Sequence, residues 1–406
     1  MIRRIQALDY RCLRYADIPL GERQVLVGPN GVGKSTLIGI LAFLRDFVRH
    51  GPLAAVEERA GEFRDLVWGR SEDSPGFELA VEFELPAECR ERLPPERDYR
   101  TYRYEIALRA GDGGVEIHAE RGILAPLPRT EGGEQPFLFP DLPEPPATIL
   151  APPRPGAHTV LSKSPGGKDR FYKEQDPVKG WVTEVALGPH RSALGGLPES
   201  PETLPVSTAI KRILETGITR LRPDAAAMKR PSPRPPGLPA DALLGDASNL
   251  PWVVRRLHDH HREDFASWLT SLRGAVPGLT DIRFARRTAD RYGYLVLRYA
   301  NGFDAPSWIV SDGTLRLLAL TLPAFLPAGG RIYLVEEPEH GLHPDALGTL
   351  HAALTALPGT QLLATTHSPA LQALFRADEV FLMERREDGA VTVASGDASG
   401  QDHGAQ

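Results

Sequence analysis

Only two cysteines, Cys12 and Cys89, occur in the 406 residues. That excludes a disulfide framework and a cysteine-based metal site. Positive charge is also short: 47 Lys and Arg stand against 53 Asp and Glu, a formal charge of −6. No global attraction therefore draws the chain to nucleic acid, and any contact with a phosphate backbone must come from a local basic face. No apolar run approaches the ~18–20 residues of a membrane span, and Met1-Ile2-Arg3-Arg4-Ile5 lacks the apolar core of a signal peptide. The expected location is the cytoplasm, with no membrane partner. No stretch sustains the ~3–4 heptads of a long coiled coil. An internal repeat, a Ser-His-Asp set and a paired-carboxylate nuclease motif are missing too. What remains is a globular composition, 41% hydrophobic and 25% charged, long enough for two or three packed units.

Within that chain one stretch is unusually specific. Gly28-Pro29-Asn30-Gly31-Val32-Gly33-Lys34-Ser35-Thr36 fits G-x-x-x-x-G-K-[ST] at every fixed position. Gln24-Val25-Leu26-Val27 before it reads as a buried strand, and residues 37–44 after it as the apolar start of a helix. A strand, a glycine turn and a helix N-terminus aim consecutive backbone N–H groups at one anion. Gly31 and Gly33 let the backbone close where a Cβ would intrude. Lys34 is expected to reach the β and γ phosphates of a nucleotide, and the Ser35 hydroxyl to bind magnesium.

Around this loop the pattern is mixed. Residues 2–20 read as two strands and a turn. Phe77, Leu79, Val81, Phe83 and Leu85 alternate with polar residues, and Tyr104, Ile106 and Leu108 repeat the pattern before a Gly111-Asp112-Gly113-Gly114 turn. Residues 60–125 are thus expected to form an inserted antiparallel sheet. Residues 124–205 are proline-rich and read mostly as loop, with a strand or short helix near 181–187. Helices are expected at 206–221 and 249–272, and strands at 292–299, 331–336 and 361–365. His258-Asp259-His260-His261 places two histidines on one face of the expected helix, without a third ligand. Arg283, Arg286, Arg287 and Arg291 form a local basic cluster, as do Lys229, Arg230 and Arg234; a solvated surface explains both as well as phosphate contact does.

The second half carries more chemistry. Ile332-Tyr333-Leu334-Val335-Glu336-Glu337-Pro338 is an apolar strand ending in two carboxylates. Glu336 is assigned to magnesium and Glu337 to the attacking water. Leu362-Leu363-Ala364-Thr365-Thr366-His367-Ser368-Pro369 ends in a histidine suited to sense a γ-phosphate or to cap a helix. Ser311-Asp312-Gly313-Thr314 opens a helical run, as an anion site or as a plain Ser cap.

These stretches, in this order, resemble the stand-alone ATP-binding-cassette-class AAA family ATPases, the group of the RecF, SMC-head and OLD-type proteins. The resemblance is most specific at residues 28–36 and at Glu336-Glu337-Pro338-Glu339-His340-Gly341-Leu342-His343-Pro344. It implies an α/β P-loop NTPase fold, an ABC-ATPase-type head with an inserted antiparallel β layer and a helical lid. The expected segments are an N-terminal lobe (1–125), a Pro/Gly-rich insertion (126–205), a lid (206–275) and a C-terminal lobe (276–406). Residues 221–224 and 246–250 look like that group's lid region. The implied cofactors are ATP and Mg2+.

By the same resemblance Ser311 and Gly313 match the signature loop that touches nucleotide on another protomer, Glu337 the catalytic glutamate and His367 the switch histidine. Leu342 and His343 fall where the class keeps its inter-subunit loop. Glu336 stands where most members carry Asp, and no glutamine occurs between Thr36 and Thr130, where the class uses one to link γ-phosphate to the lid. The implied partners are a second copy, joined head to tail on ATP, possible DNA and a separate effector such as a nuclease, in repair or phage defence. The alternatives are a nucleotide-gated binding module with little turnover, or a transporter subunit, which the signature and the missing glutamine disfavour.

Overall fold

The computed structural model describes residues 1–70, 74–111, 114–127, 145–176, 181–198, 200–234, 242–327, 330–357, 359–386 and 391–395. The chain opens with β1 (Ile2–Tyr10), β2 (Leu13–Pro19), β3 (Arg23–Val27), α1 (Lys34–His50) and α2 (Pro52–Glu57). Next come β4 (Gly76–Glu84), α3 (Ala87–Arg90), β5 (Thr101–Arg109), β6 (Glu116–Ala125), β7 (His158–Lys163), β8 (Asp169–Tyr172), β9 (Trp181–Val185) and α4 (Pro205–Arg212). The second half holds β10 (Ile218–Leu221), α5 (Ala225–Lys229), α6 (Leu250–His260), α7 (Arg262–Ala275), β11 (Leu279–Arg286), β12 (Gly293–Tyr299) and β13 (Asp304–Pro306). It closes with α8 (Asp312–Thr321), β14 (Ile332–Glu336), α9 (Leu347–Thr355), β15 (Gln361–Thr366), α10 (Pro369–Gln372), β16 (Val380–Arg385) and β17 (Val391–Ser395).

Two compact units emerge. The first comprises residues 1–21, 31–218 and 383–393, the second 22–30, 219–382 and 394–406. An antiparallel sheet of order β2-β1-β4-β5-β6-β7-β8-β9 forms the first. It is wider than the expected 60–125 layer, because β1 and β2 join it at one edge and β7–β9 at the other. Proline frequency between 124 and 205 suggested loop. Yet β7 buries Val160 and Leu161, and the fully enclosed Lys163–Asp169 ion pair (2.7 Å) spans the turn from β7 to β8. The expected 111–114 turn holds Asp112 and Gly113, which lie outside the described residues, as do 128–144 of the proline-rich stretch. Helix α1 belongs to this unit. Its Phe43 lies 5.8 Å from Tyr10 and 5.6 Å from Phe77, an edge-on aromatic cluster that fixes the helix against the sheet.

In the second unit β10, β14, β15, β3 and β16 stand side by side in that order. The β14–β15, β15–β3 and β3–β16 ladders are parallel. A smaller antiparallel sheet, β11-β12-β13, packs with α6, α7 and α8 around Trp268, which is fully buried and donates from its indole nitrogen to the Thr321 hydroxyl at 2.9 Å.

Two helix expectations are corrected. The segment 206–221 is helical only to Gly217, passing through a wider π turn (Ile213–Gly217), and then becomes strand β10. Glycine followed by the β-branched Ile218 and Thr219 favours that switch. The segment 249–272 is two helices, broken at His261, whose φ of −136° is not helical. His258 and His261 therefore do not share a helix face. His258 lies 3.1 Å from Asp259 instead, and no group of three His, Cys, Asp or Glu among the described residues could hold a metal.

One buried acid makes the first unit pH-sensitive. Glu174 is fully enclosed and accepts the Val206 and Ser207 N–H groups (2.6 and 2.7 Å) in the first turn of α4. Burial outweighs those hydrogen bonds and pushes its pKa from 4.5 up to about 7. Between those values the folded chain keeps a proton that the unfolded chain has lost, so this group lowers stability as pH rises from 4.5 towards 7. Thermal midpoints across that window should fall more steeply in wild type than in Glu174→Gln; identical slopes would contradict this reading.

Candidate nucleotide site

The loop 28–36 turns where its sequence demands. Gly28, Gly31 and Gly33 have φ of 155°, 75° and 111°. A Cβ on Gly33 would stand 2.6 Å from the Cys12 sulfur, so that position excludes a side chain twice, by space and by φ. Gly33 then serves as N-cap of α1 with no side-chain hydrogen bond, and the first turn contains no acid. The helix thus offers its N-terminal N–H groups and dipole without a competing anion of its own. A Cβ on Gly31 would meet nothing within 4 Å, Lys34 is buried, and Thr36 accepts a weak contact from Cys12 at 3.5 Å. Arg385 donates to the Gly31 carbonyl at 2.6 Å. An uncapped, acid-free helix start fits a phosphate group.

In the second unit the strand register aligns the other residues. Glu336 pairs with Thr365, Thr365 with Leu26 and Thr366 with Val27. Glu337, His367 and Gly28 therefore leave three parallel strands at the same edge, the carboxyl edge where open α/β sheets bind ligands. Glu337 has a φ of +45°, a strained value for a residue with a side chain. Its N–H is held by the Thr365 carbonyl at 3.0 Å, and its Oε1 lies 3.3 Å from Nε2 of His367. Glu336 faces Arg220, whose Nη2 is 2.5 Å from its Oε1.

Glu339 organises the histidine turn. Its Oε1 accepts the Thr366 hydroxyl at 2.6 Å and the N–H groups of His367 and Ser368 at 3.0 and 3.2 Å. In the sequence Glu339 stands in the motif after β14 with no evident task, and nothing local marks Arg220 as the neighbour of Glu336. The Glu339 bonds join turns about 27 residues apart, and Arg220 meets Glu336 because β10 lies beside β14; neither pairing leaves a local pattern.

Ser311 is the N-cap of α8, its Oγ accepting the Thr314 N–H at 3.2 Å, as a plain cap does. Gly313 is required by packing, since a Cβ there would collide with the Gly341 carbonyl. That contact seats the turn before α8 against the turn after β14. The basic cluster is partly neutralised: Arg283 pairs with Asp281 and Arg287 with Asp290, while Arg286 lies over Trp252 at 5.2 Å.

The donor set also suits magnesium. A serine hydroxyl such as that of Ser35 and a carboxylate such as that of Glu336 are hard oxygen ligands. Magnesium is usually held by one or two such groups together with phosphates and water.

A family model described as "AAA domain, putative AbiEii toxin, Type IV TA system" matches residues 25–160 and 216–373, more than half of the chain. The chain belongs to this family. Its AAA-type domain is of the kind that the loop and strand-end motifs implied. The chain is similar to the OLD nuclease of Thermus scotoductus, at 47% identity over 38 residues, 9% of this chain and 7% of that protein. It is also similar to ABC transporter F family member 4 of Arabidopsis thaliana, at 30% over 119 residues, 29% of this chain and 15% of that protein. The matches thus span a small part of each curated relative. Among solved structures, an SMC head bound to the C-winged helix domain of ScpA superposes with a TM-score of 0.54 at 18% identity, covering 97% of both chains. That likeness is one of fold. No helix among the described residues is long and apolar enough to cross a membrane.

Replacing Glu339 by alanine takes the acceptor from the buried Thr366 hydroxyl and the His367 N–H, while the Ser368 N–H keeps the Thr366 oxygen at 3.0 Å; the loss should cost about 1–3 kcal/mol and loosen His367. Urea unfolding checks the cost; an unchanged midpoint would contradict it.

Proposed function

We propose that this ATPase hydrolyses ATP at a site that a second copy of the chain completes, and that the cycle of joining and parting gates a DNA-directed process. The observation that carries the reading is Glu337. A carboxylate held at positive φ, at the end of a strand separated by β15 alone from the strand that feeds the phosphate loop, and in contact with His367, is strain retained at one position.

In this reading the loop N–H groups and Lys34 bind the phosphates, and Ser35 and Glu336 would hold magnesium. A bound magnesium ion would supply charge neutralisation on the phosphates. Glu337 accepts the proton of the attacking water and His367 orients against the γ-phosphate. Ser311 and Gly313 present the start of α8 to the nucleotide of the other copy. Likeness to an OLD nuclease and the toxin-system description of the family support a role in defence or repair, with the destructive step on a separate effector such as a nuclease. We place the ATPase lobes at residues 1–125 and 276–406, with 126–205 as the insertion and 206–275 as the lid.

Lys34→Ala should abolish ATP binding. Glu337→Gln should bind ATP, stop turnover and elute as a dimer in size-exclusion chromatography with ATP. A Glu337→Gln protein that stays monomeric at saturating ATP overturns the composite site.

A further inference from the structure

The pair formed by Arg220 and Glu336 has no part in the cycle above, yet it occupies the carboxylate assigned to magnesium. Arg220 Nε and Nη2 both converge on Glu336 Oε1, at 2.8 and 2.5 Å. A guanidinium and a divalent cation repel each other, so one oxygen does not serve both fully. Whatever loosens Arg220 acts on the chain that follows it, and that chain is tied at four points. The Arg222 N–H bonds the Gly245 carbonyl at 2.7 Å, and the Asp224 N–H bonds the Asp246 carbonyl at 2.9 Å, holding the segment along a neighbouring loop. The Pro223 carbonyl accepts from Arg316 of α8 at 3.2 Å. Lys229, at the end of α5, pairs with Asp312, the first residue of α8, at 2.5 Å.

Arg316 has a further place to go. Its Nε is buried without a hydrogen-bond partner in the protein, and so is Oε2 of Glu339. Burial and Arg222 press its pKa down, while Glu337 and Glu339 act in the opposite sense. A shift of Pro223 would free Arg316 towards the two carboxylates.

We propose that Arg220 is a positioning residue for Glu336, and that residues 220–229 carry the occupancy of that carboxylate to the signature helix α8. This rests on the ATPase reading and adds its regulation: the start of α8, with Ser311 beside it, takes its place for a second copy only after Glu336 has been released from Arg220. The link is the backbone of residues 220–229, tied at both ends by hydrogen bonds and ion pairs within one unit, the physical connection that coupling requires.

The test follows backbone hydrogen–deuterium exchange at residues 311–316 in the full chain, with ATP plus EDTA and with ATP plus magnesium, alongside magnesium titrations in the presence of ATP. Wild type should show a magnesium-dependent change in exchange at the start of α8. Arg220→Ala should bind magnesium about fivefold more tightly, the scale of a partly exposed ion pair, and lose the change in α8. Arg220→Lys, which keeps a cation near Glu336, should restore part of it. Lys229→Ala breaks the far end alone, so magnesium affinity should match wild type while the α8 change is lost. If Arg220→Ala and Lys229→Ala both keep the wild-type change, the inference is overturned and the ATPase reading stands. A wild-type chain that binds no ATP overturns the reading beneath it.

Discussion

The strand-end chemistry depends on one carboxylate that does none of it. Glu339 reaches from the turn after β14 to the turn after β15 and accepts three hydrogen bonds there. Charge-assisted bonds to one oxygen fix the direction in which the chain leaves β15, and so the position of the His367 ring. The Glu337 N–H answers in the other direction, through the Thr365 carbonyl. Together these bonds tie two turns into one rigid edge, which is what permits Glu337 to remain at positive φ. Without that bracing a residue with a side chain would relax to an ordinary conformation.

Three glutamates within four residues thus acquire different tasks from their partners. Glu336 meets a guanidinium, Glu337 an imidazole, and Glu339 a hydroxyl and two amides. The start of α8 joins the same edge by close packing, because Gly313 leaves room for the Gly341 carbonyl. A chain of small constraints therefore relates Glu336, Glu337 and the start of α8, all within the second unit.

Much of this was legible in sequence wherever the information was local. The loop 28–36, the carboxylate-ending strand and the histidine-ending strand are each contiguous, and each fell on the strand edge that its pattern implied. Less local features were missed. The short strands β7 and β8 were hidden among prolines, because a strand of a few residues shows too little alternation to outweigh composition. The break at His261 carried no glycine or proline to announce it. Arg220 was read as helix when a glycine and two β-branched residues had already made it strand, and only strand order brings it to Glu336. Glu339 was visible as a letter in a motif, but its task depends on three donors far along the chain.

The central claim is that each chain holds half of two sites. It is tested most directly by mixing two inactive proteins, one carrying Lys34→Ala and the other Ser311→Arg, and measuring ATP turnover. In a mixed dimer the intact phosphate loop of one chain faces the intact signature of the other, so one site is whole. The account predicts recovery of about a quarter of wild-type turnover in an equal mixture, from the pairing statistics of a symmetric dimer. Turnover that stays at the level of the separate variants would contradict it.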